Sequence, residues 1–415
     1  MRVLLSDGSG LTARQTATLL SRAGHRVEAL SPDPLCLCRF TRHVRRVHRV
    51  PAYGTDPLGW LDAALAVAGQ RHAQMLFPTQ EQVAVISLAA QRLRGVGLLT
   101  AVPEFAALAA VQDKVTAFAT LTGLGLPQPA ATLAGSRAEL RSAGPLPMFV
   151  KTPIGTASAG VCRVTTPGQL TRLADQYDND GTFAAGSVLA QQPAAGPLVM
   201  VQSVFARGEL IAFHACQRTG EGVGGGASHK RGIALPAVAE HLSVLGGALS
   251  WHGALSADVI LSPGGPQFID INPRLVEPVN AYRSGVDLVS ALLDVARGGT
   301  AGPQATAQPG MQTHQLLLAI LGAAQHDGRR RDVARQLWAA AAHQDGYRAS
   351  TEELTLLRYD PLAIVPVAIA SVATLIRPAT WRHLTVGSVS GYALTPAAWH
   401  QITQHAAAAA DARQT

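Results

Sequence analysis

The stretch Gln267-Phe268-Ile269-Asp270-Ile271-Asn272-Pro273-Arg274 decides how the rest of the chain is read. Apolar Phe268, Ile269 and Ile271 interleave with polar residues, so the stretch is predicted to be a strand. A period of two puts Asp270 and Asn272 on one face. A carboxylate, an amide oxygen and then a guanidinium leave the same strand end. Hard oxygen donors of this kind suit Mg²⁺, which takes one or two carboxylates and completes its shell with phosphate oxygens. Arg274 is then placed to fork onto a phosphate. A sheet strand with a polar solvent face, ended by Pro273, fits the same eight residues equally well.

Composition narrows the choice. The chain has 415 residues, 47% hydrophobic and 15% charged, enough for two or three domains with cores of their own and unlike a disordered chain. The net charge of +7 comes mostly from Arg and favours anionic ligands. Aromatic residues make up 5% and no basic stripe carries interleaved aromatics, which disfavours nucleic acid. Cys36, Cys38, Cys162 and Cys216 lack metal-type spacing and are expected as reduced thiols of a cytoplasmic protein. Met1–Asp7 opens as a buried strand rather than a signal peptide, and no apolar run is long enough to span a membrane.

The first residues alternate strand, turn, helix and strand, the start of a parallel α/β domain. The turn Gly8-x-Gly10 lacks the third glycine and the acidic residue of a dinucleotide fingerprint. Arg39–Arg49 is dense in basic residues and is expected as a solvated face near a helix end. Glu81 follows the strand Gln74–Phe77 and lines a cleft or starts a helix. Asp113-Lys114 opens a helix that ends at Gly123-Leu124-Gly125. Phe149-Val150-Lys151 runs into a hairpin of small residues up to Gly160, suited to covering phosphates. The segment from Glu221 to Arg231 is expected as a closing glycine loop with Lys230 and Arg231, entered after Arg218. Asp258 lies on the strand Ala254–Leu261, and a hairpin through Ser262-Pro263-Gly264-Gly265 brings it towards Asp270 and Asn272.

In this order the pieces resemble the ATP-grasp superfamily, in particular carboxylate–amine ligases of the carbamoyl-phosphate-synthase-like branch. The matching residues are Asp113-Lys114, Phe149-Val150-Lys151 with the loop to Gly160, Val188–Gln192, the glycines of 222–226, Asp258, Asp270-Ile271-Asn272-Pro273-Arg274 and Gly285-Val286-Asp287-Leu288. The resemblance covers about residues 1–300. It implies a mixed α/β (α+β) chain: a parallel α/β pre-ATP-grasp domain over 1–110, a small ATP-grasp subdomain with the phosphate loop over 111–187, and a large subdomain with the metal site over 188–300. A largely helical C-terminal region over 301–415 follows. The resemblance further implies ATP and two Mg²⁺ ions, with Mn²⁺ as a substitute. Lys114, Lys151, Ser158 and Gly160 fall to the phosphates, Gln191 and Gln192 to the adenine, and Asp258, Asp270 and Asn272 to the metals. Arg274, Lys151 and Arg218 fall to catalysis. Asp270 stands where the family usually has Glu, and Gln192 where an acidic residue is common.

The activity implied is formation of an acyl phosphate from a carboxylate and ATP, then its capture by an amine. A phosphotransferase or carboxylase-type enzyme, or a non-catalytic nucleotide-binding protein, are the rival readings. Glu81, Lys230, Asn280 and Arg283 are the substrate candidates, and the cations among these residues point to an acidic substrate. Beyond residue 300, Met311–Ala324 and Arg331–His343 have helical patterns. The uncharged run Ala363–Ile376 is expected as a buried helix broken at Pro366. A peripheral membrane contact through 361–377 and a homodimer interface are its two alternative uses.

Overall fold

The computed structural model describes residues 1–299, 302–326, 328–354 and 359–414. Three sheets organise it. The first is fully parallel, in the order β3-β2-β1-β4, from β1 (Arg2–Leu5), β2 (Arg26–Ser31), β3 (Val47–Arg49) and β4 (Met75–Phe77). The helix Leu11–Arg22 crosses between β1 and β2, as a parallel pair requires. Val3, Leu5, Val27, Ala29 and Phe77 are buried on one face of this sheet, and Leu4, Leu30 and Leu76 on the other. Burial on both faces explains why the strands are almost continuously apolar.

A small antiparallel sheet, β5-β8-β6-β7, contains β5 (Ala131–Ala134), β6 (Met148–Lys151), β7 (Val161–Val164) and β8 (Val188–Gln191). The helix Lys114–Gly123 leads into it. Asp113 caps that helix, its Oδ1 accepting from the N–H groups of Val115 (2.8 Å) and Thr116 (3.0 Å), which satisfies two otherwise unpaired donors of the first turn.

The third sheet has seven strands in the order β13-β12-β9-β10-β11-β14-β15. They are β9 (Leu198–Ala206), β10 (Glu209–Glu221), β11 (Ala227–Ile233), β12 (Gly253–Ser262), β13 (Gly265–Asn272), β14 (Gln312–His314) and β15 (Thr351–Glu352). The helix Pro236–Ala248 packs on one face through Val238, Leu242 and Leu245. The helix Leu288–Ala296 packs on the other and shares a core with the parallel sheet.

Several expectations are corrected here. The Glu221–Arg231 segment is a loop only over 222–226; His229, Lys230 and Arg231 lie in β11, where β10 and β14 pair with them. The basic stretch Arg39–Arg49 holds a short 3₁₀ turn, Leu37–Arg39, and the edge strand β3 rather than a helix end. Gln312–His314 is a strand, and the helix starts only at Leu316; the unpaired edge of β11 outweighs the local helical pattern. The helix Ile364–Ile376 is unbroken, because Pro366 falls in its first turn, where no intrahelical N–H partner is lost. It is buried on one face only: Ala370 and Thr374 are enclosed, whereas Ile364, Ile369, Val372 and Ile376 are each 45–65% exposed. No helix among the described residues is long and apolar enough to cross a membrane.

The C-terminal residues fold back onto the first domain. Leu394, Ala398 and Ile402 complete the core built by Tyr53, Trp60 and Leu76. Asp360 is fully buried and accepts from Arg14 Nη2 (2.6 Å), Thr41 Oγ1 (2.6 Å) and the Arg42 N–H (3.3 Å).

Candidate active site

The opening stretch is β13, and its register decides the site. Asp258 pairs with Asp270 and Ser256 with Asn272 across the β12–β13 hairpin. Directly opposed residues share a face of an antiparallel pair, with Cα atoms about 4.5–5.5 Å apart. The ladder slips between Asp258 and Val259, so Val259 meets Phe268 and Ile269 is the extra residue of a bulge. Strict alternation would have set Phe268 beside Asp270. The bulge turns Phe268 into the core with Ile271 and leaves the Ile269 carbonyl to accept from Lys151 Nζ at 2.6 Å.

Asp258 is partly buried. Burial first, and Asp270 second, push its carboxyl from 3.8 to about 7, while Lys151, Arg274 and Arg218 pull the other way. Lys151, 7% exposed, is lowered by burial, Asp270 and Asp258 opposing the shift and Lys114 adding to it. Two carboxylates therefore face a cluster of four cations at the end of one strand pair.

The hairpin of residues 152–160 adjoins this cluster. Lys114 Nζ donates to the Gly155 carbonyl (3.1 Å), and its backbone N–H donates to Pro153 (2.9 Å). Ala157, Ser158 and Gly160 all have positive φ (53°, 65° and 77°). At Gly160 a Cβ would stand 2.1 Å from Thr152 Oγ1, so only glycine closes this turn. Ser158 Oγ reaches the Gly224 carbonyl at 3.4 Å, linking the hairpin to the second glycine loop. Arg218 holds that loop through Gly225 O (2.6 Å) and pairs with Glu221 (3.3 Å). Gln191 is buried at the end of β8, between β5 and β6. Gln192 donates its backbone N–H to Ala130 (2.8 Å) and its Nε2 to Pro145 O (3.2 Å).

The substrate candidates divide. Glu81 belongs to the cluster: its Oε1 accepts from both Nε (3.1 Å) and Nη2 (2.9 Å) of Arg274. Burial lowers the Arg274 guanidinium, but Glu81 and Asp270 more than offset this, and its pKa is raised. Lys230 is 3% exposed and clamped between Glu277 and Glu353 (2.8 Å to the latter). Asn280 is buried, bonded to His214 Nε2 (2.7 Å) and Thr313 Oγ1 (2.7 Å). Arg283 is exposed at the end of the short helix Val279–Arg283. These last three are not presented to the cleft as ligands for an acid.

Glu277, Glu353 and Tyr392 are the residues that sequence reasoning missed. Glu277 lies three positions after Arg274 and was within reach of inspection. Glu353 and Tyr392 come from the C-terminal region and carry no motif. Burial pushes the Tyr392 hydroxyl up, and the charges of Arg274, Asp7, Glu81 and Glu277 reach it. Next to it, the Leu394 N–H donates to Thr156 Oγ1 of the 152–160 hairpin at 3.1 Å.

The donor set fits a divalent metal that also needs phosphate. Among the described residues no three His, Cys, Asp or Glu side chains group as a self-sufficient metal site. Instead Asp258 and Asp270 oppose each other beside Asn272. Two opposed carboxylates, with Asp258 raised first by burial and then by Asp270, are a surplus of negative charge that a bound cation relieves.

No protein-family model matches the chain, and no curated protein matches it in sequence. Solved structures do match its fold. The biotin carboxylase domain of 2-oxoglutarate carboxylase from Hydrogenobacter thermophilus, in complex with MgADP, ADP and bicarbonate, is 15% identical; the match covers 75% of this chain and 73% of that one, with a TM-score of 0.60. Biotin carboxylase from Campylobacter jejuni gives 15%, 75%, 74% and 0.60. N5-carboxyaminoimidazole ribonucleotide synthetase from Thermus thermophilus gives 19%, 75%, 81% and 0.55. The chain has the ATP-grasp fold, with a parallel sheet domain, a large antiparallel sheet and a helical C-terminal end.

Proposed function

We propose that the protein is an ATP-dependent ligase that activates a carboxylate as an acyl phosphate and joins it to an amine. The observation that carries this reading is the convergence of Asp258, Asp270, Lys151, Arg274 and Arg218 within one another's electrostatic reach, under a glycine hairpin held to Lys114. Phosphoryl transfer asks for positioning and charge neutralisation rather than a protein nucleophile. In this reading the substrate carboxylate attacks the γ-phosphorus of ATP and ADP leaves. The amine then attacks the acyl carbon, inorganic phosphate leaves, and the amine gives up its proton.

Lys151 and Lys114 hold phosphate oxygens, Arg274 holds the transferred group, and Gln191 and Gln192 border the adenine. Asp258, Asp270 and Asn272 would hold Mg²⁺, which supplies charge neutralisation on the phosphates. The loops linked by Ser158 and Gly224 keep water from the acyl phosphate. Glu81 takes Nε and Nη2 of Arg274, which leaves Nη1 as the nitrogen to meet a phosphate while Glu81 fixes the plane of the guanidinium. The domain limits 1–110, 111–187, 188–300 and 301–415 belong to the same proposal, as does a cytoplasmic setting for its free thiols.

The test is ADP release across carboxylic acids crossed with amino acids and other amines. Release that requires both partners, and is lost in Asp270→Ala but kept in Glu209→Ala, supports the ligase. Equal activity in the two variants sinks it. The bicarbonate in the Hydrogenobacter complex makes bicarbonate the acid of a second, carboxylase-type reading, which ADP release with bicarbonate and one acceptor would favour. The exposed apolar face of Ile364–Ile376 is the surface this reading gives to a membrane or a second copy. A monomer that ignores acidic liposomes removes that part.

A further inference from the structure

Of the cations expected to greet an acidic substrate, Lys230 is already taken and Arg283 is exposed at a helix end. Arg274 is held by Glu81, Lys230 by Glu277 and Glu353, and Arg218 by Glu221 and the Gly225 carbonyl. What the cleft leaves without partners is acceptors.

Asp7 lies two residues after β1 and is 1% exposed. Its Oδ2 accepts from the N–H groups of Ser9 (2.7 Å) and Gly10 (2.9 Å). Its Oδ1 is buried and has no hydrogen-bond partner. Gln80, which follows the adjacent strand β4, packs its side chain against Gly10; its Oε1 is likewise buried and unpartnered. Gln112 donates to Glu81 Oε2 (3.4 Å), and its own Oε1 is a third buried acceptor with no donor. Asp7 and Gln80 stand at the carboxyl ends of neighbouring parallel strands, where open α/β sheets bind ligands. Asp7 and Gln80 meet at Gly10, where a Cβ would stand 2.2 Å from Gln80 Nε2 and 3.7 Å from Asp7 Oδ2, and Gln112 joins them through Glu81, the residue after Gln80. A buried acceptor without a donor is costly, and three around one cleft specify a ligand rich in N–H groups.

We propose that this cleft binds a positively charged group of the substrate, an ammonium or guanidinium, with Asp7, Gln80 and Gln112 as its acceptors. The inference rests on the ligase reading for its setting and assigns the substrate a basic character opposite to that expected from the sequence. Asp7 here is a binding residue for specificity; the turn at Ser9 and Gly10 uses only its other oxygen.

The experiment is calorimetric titration of the full chain, first with MgADP and then, with MgADP present and ionic strength fixed, with agmatine, 1,4-diaminobutane, butane-1,4-diol and succinate. The MgADP titration reports on the nucleotide site alone, so the ligase reading and the present one can fail separately. At least one of the two cationic probes is expected to bind, with the diol and succinate silent. Asp7→Asn keeps an oxygen for the turn and should weaken the cation about tenfold to a hundredfold, the loss of one charge-assisted bond. Gln112→Glu adds a carboxylate and should tighten it, which keeps the test alive if Asp7→Asn folds poorly. Glu209→Ala, on an outlying hairpin, should change nothing. Succinate binding in place of the amines, no binding of either cation, or unchanged cation affinity in both site variants overturns the proposal.

Discussion

Replacing Asp258 by Asn is expected to stabilise the ligand-free protein at alkaline pH while removing ATP turnover. In the fold the Asp258 carboxyl titrates near 7 instead of 3.8, through burial and then through Asp270. A group whose folded pKa is raised contributes stability that is fully present below 3.8 and lost as pH climbs through about 7. At about 1.4 kcal/mol per pKa unit, the ionised form is worth roughly 4 kcal/mol against folding at pH 8. Asn cannot ionise, so this burden disappears, but its buried amide needs partners at a cost of about 1–3 kcal/mol. Urea unfolding at pH 5 and pH 8 on both proteins measures the difference. The variant should gain on the wild type by about 2–4 kcal/mol between the two pH values. Asp7 and Glu352, raised to about 6 and about 7 mainly by burial, titrate in both proteins and cancel in the comparison. Mg²⁺ should raise the wild-type melting temperature more at pH 8 than at pH 5, because metal and proton compete for the same oxygens, and should leave the variant nearly unmoved. A stability difference that is the same at both pH values would refute the opposed carboxylate pair.

Four further outcomes follow from named contacts. Lys151→Met should lower kcat by about 10²–10³-fold with a native far-UV spectrum, and a steady-state assay showing a smaller loss would detach Lys151 from the chemistry. Lys230→Met strands Glu277 and Glu353 without their cation and should cost about 3–5 kcal/mol in urea unfolding; a loss below about 1 kcal/mol would mean that water reaches the pair. Asp360→Ala leaves Arg14 buried and unpaired, with a similar cost of about 3–5 kcal/mol, and should open the C-terminal region to limited proteolysis before the core. Thr156→Val removes the bond to the Leu394 N–H and should change the KM for ATP by less than about tenfold at unaltered stability; no change at all would show that the C-terminal strap does not touch the working hairpin.

The carboxylate end of the site was legible in the chain because it is local. Asp270 and Asn272 alternate on one strand, Asp258 is one tight hairpin away, and the sequence separation is small enough for period and turn to set the register. The bulge at Ile269 was not legible, since it exists only to turn Phe268 into a core supplied by the helix Pro236–Ala248. Helix starts were legible where a cap residue announced them, as Asp113 does.

Sequence alone therefore determined the β12–β13 hairpin, the opposed carboxylates and the strand that ends in Lys151, all products of short-range pattern. Tertiary structure decided which charges are free. Lys230 looked like a loop cation and proved to be a buried one, because Glu353 arrives from 123 residues away. Arg274 looked ready for phosphate and is held by Glu81, 193 residues earlier. Whether a charge is spent or available depends on partners brought together by folding, and no local pattern encodes them.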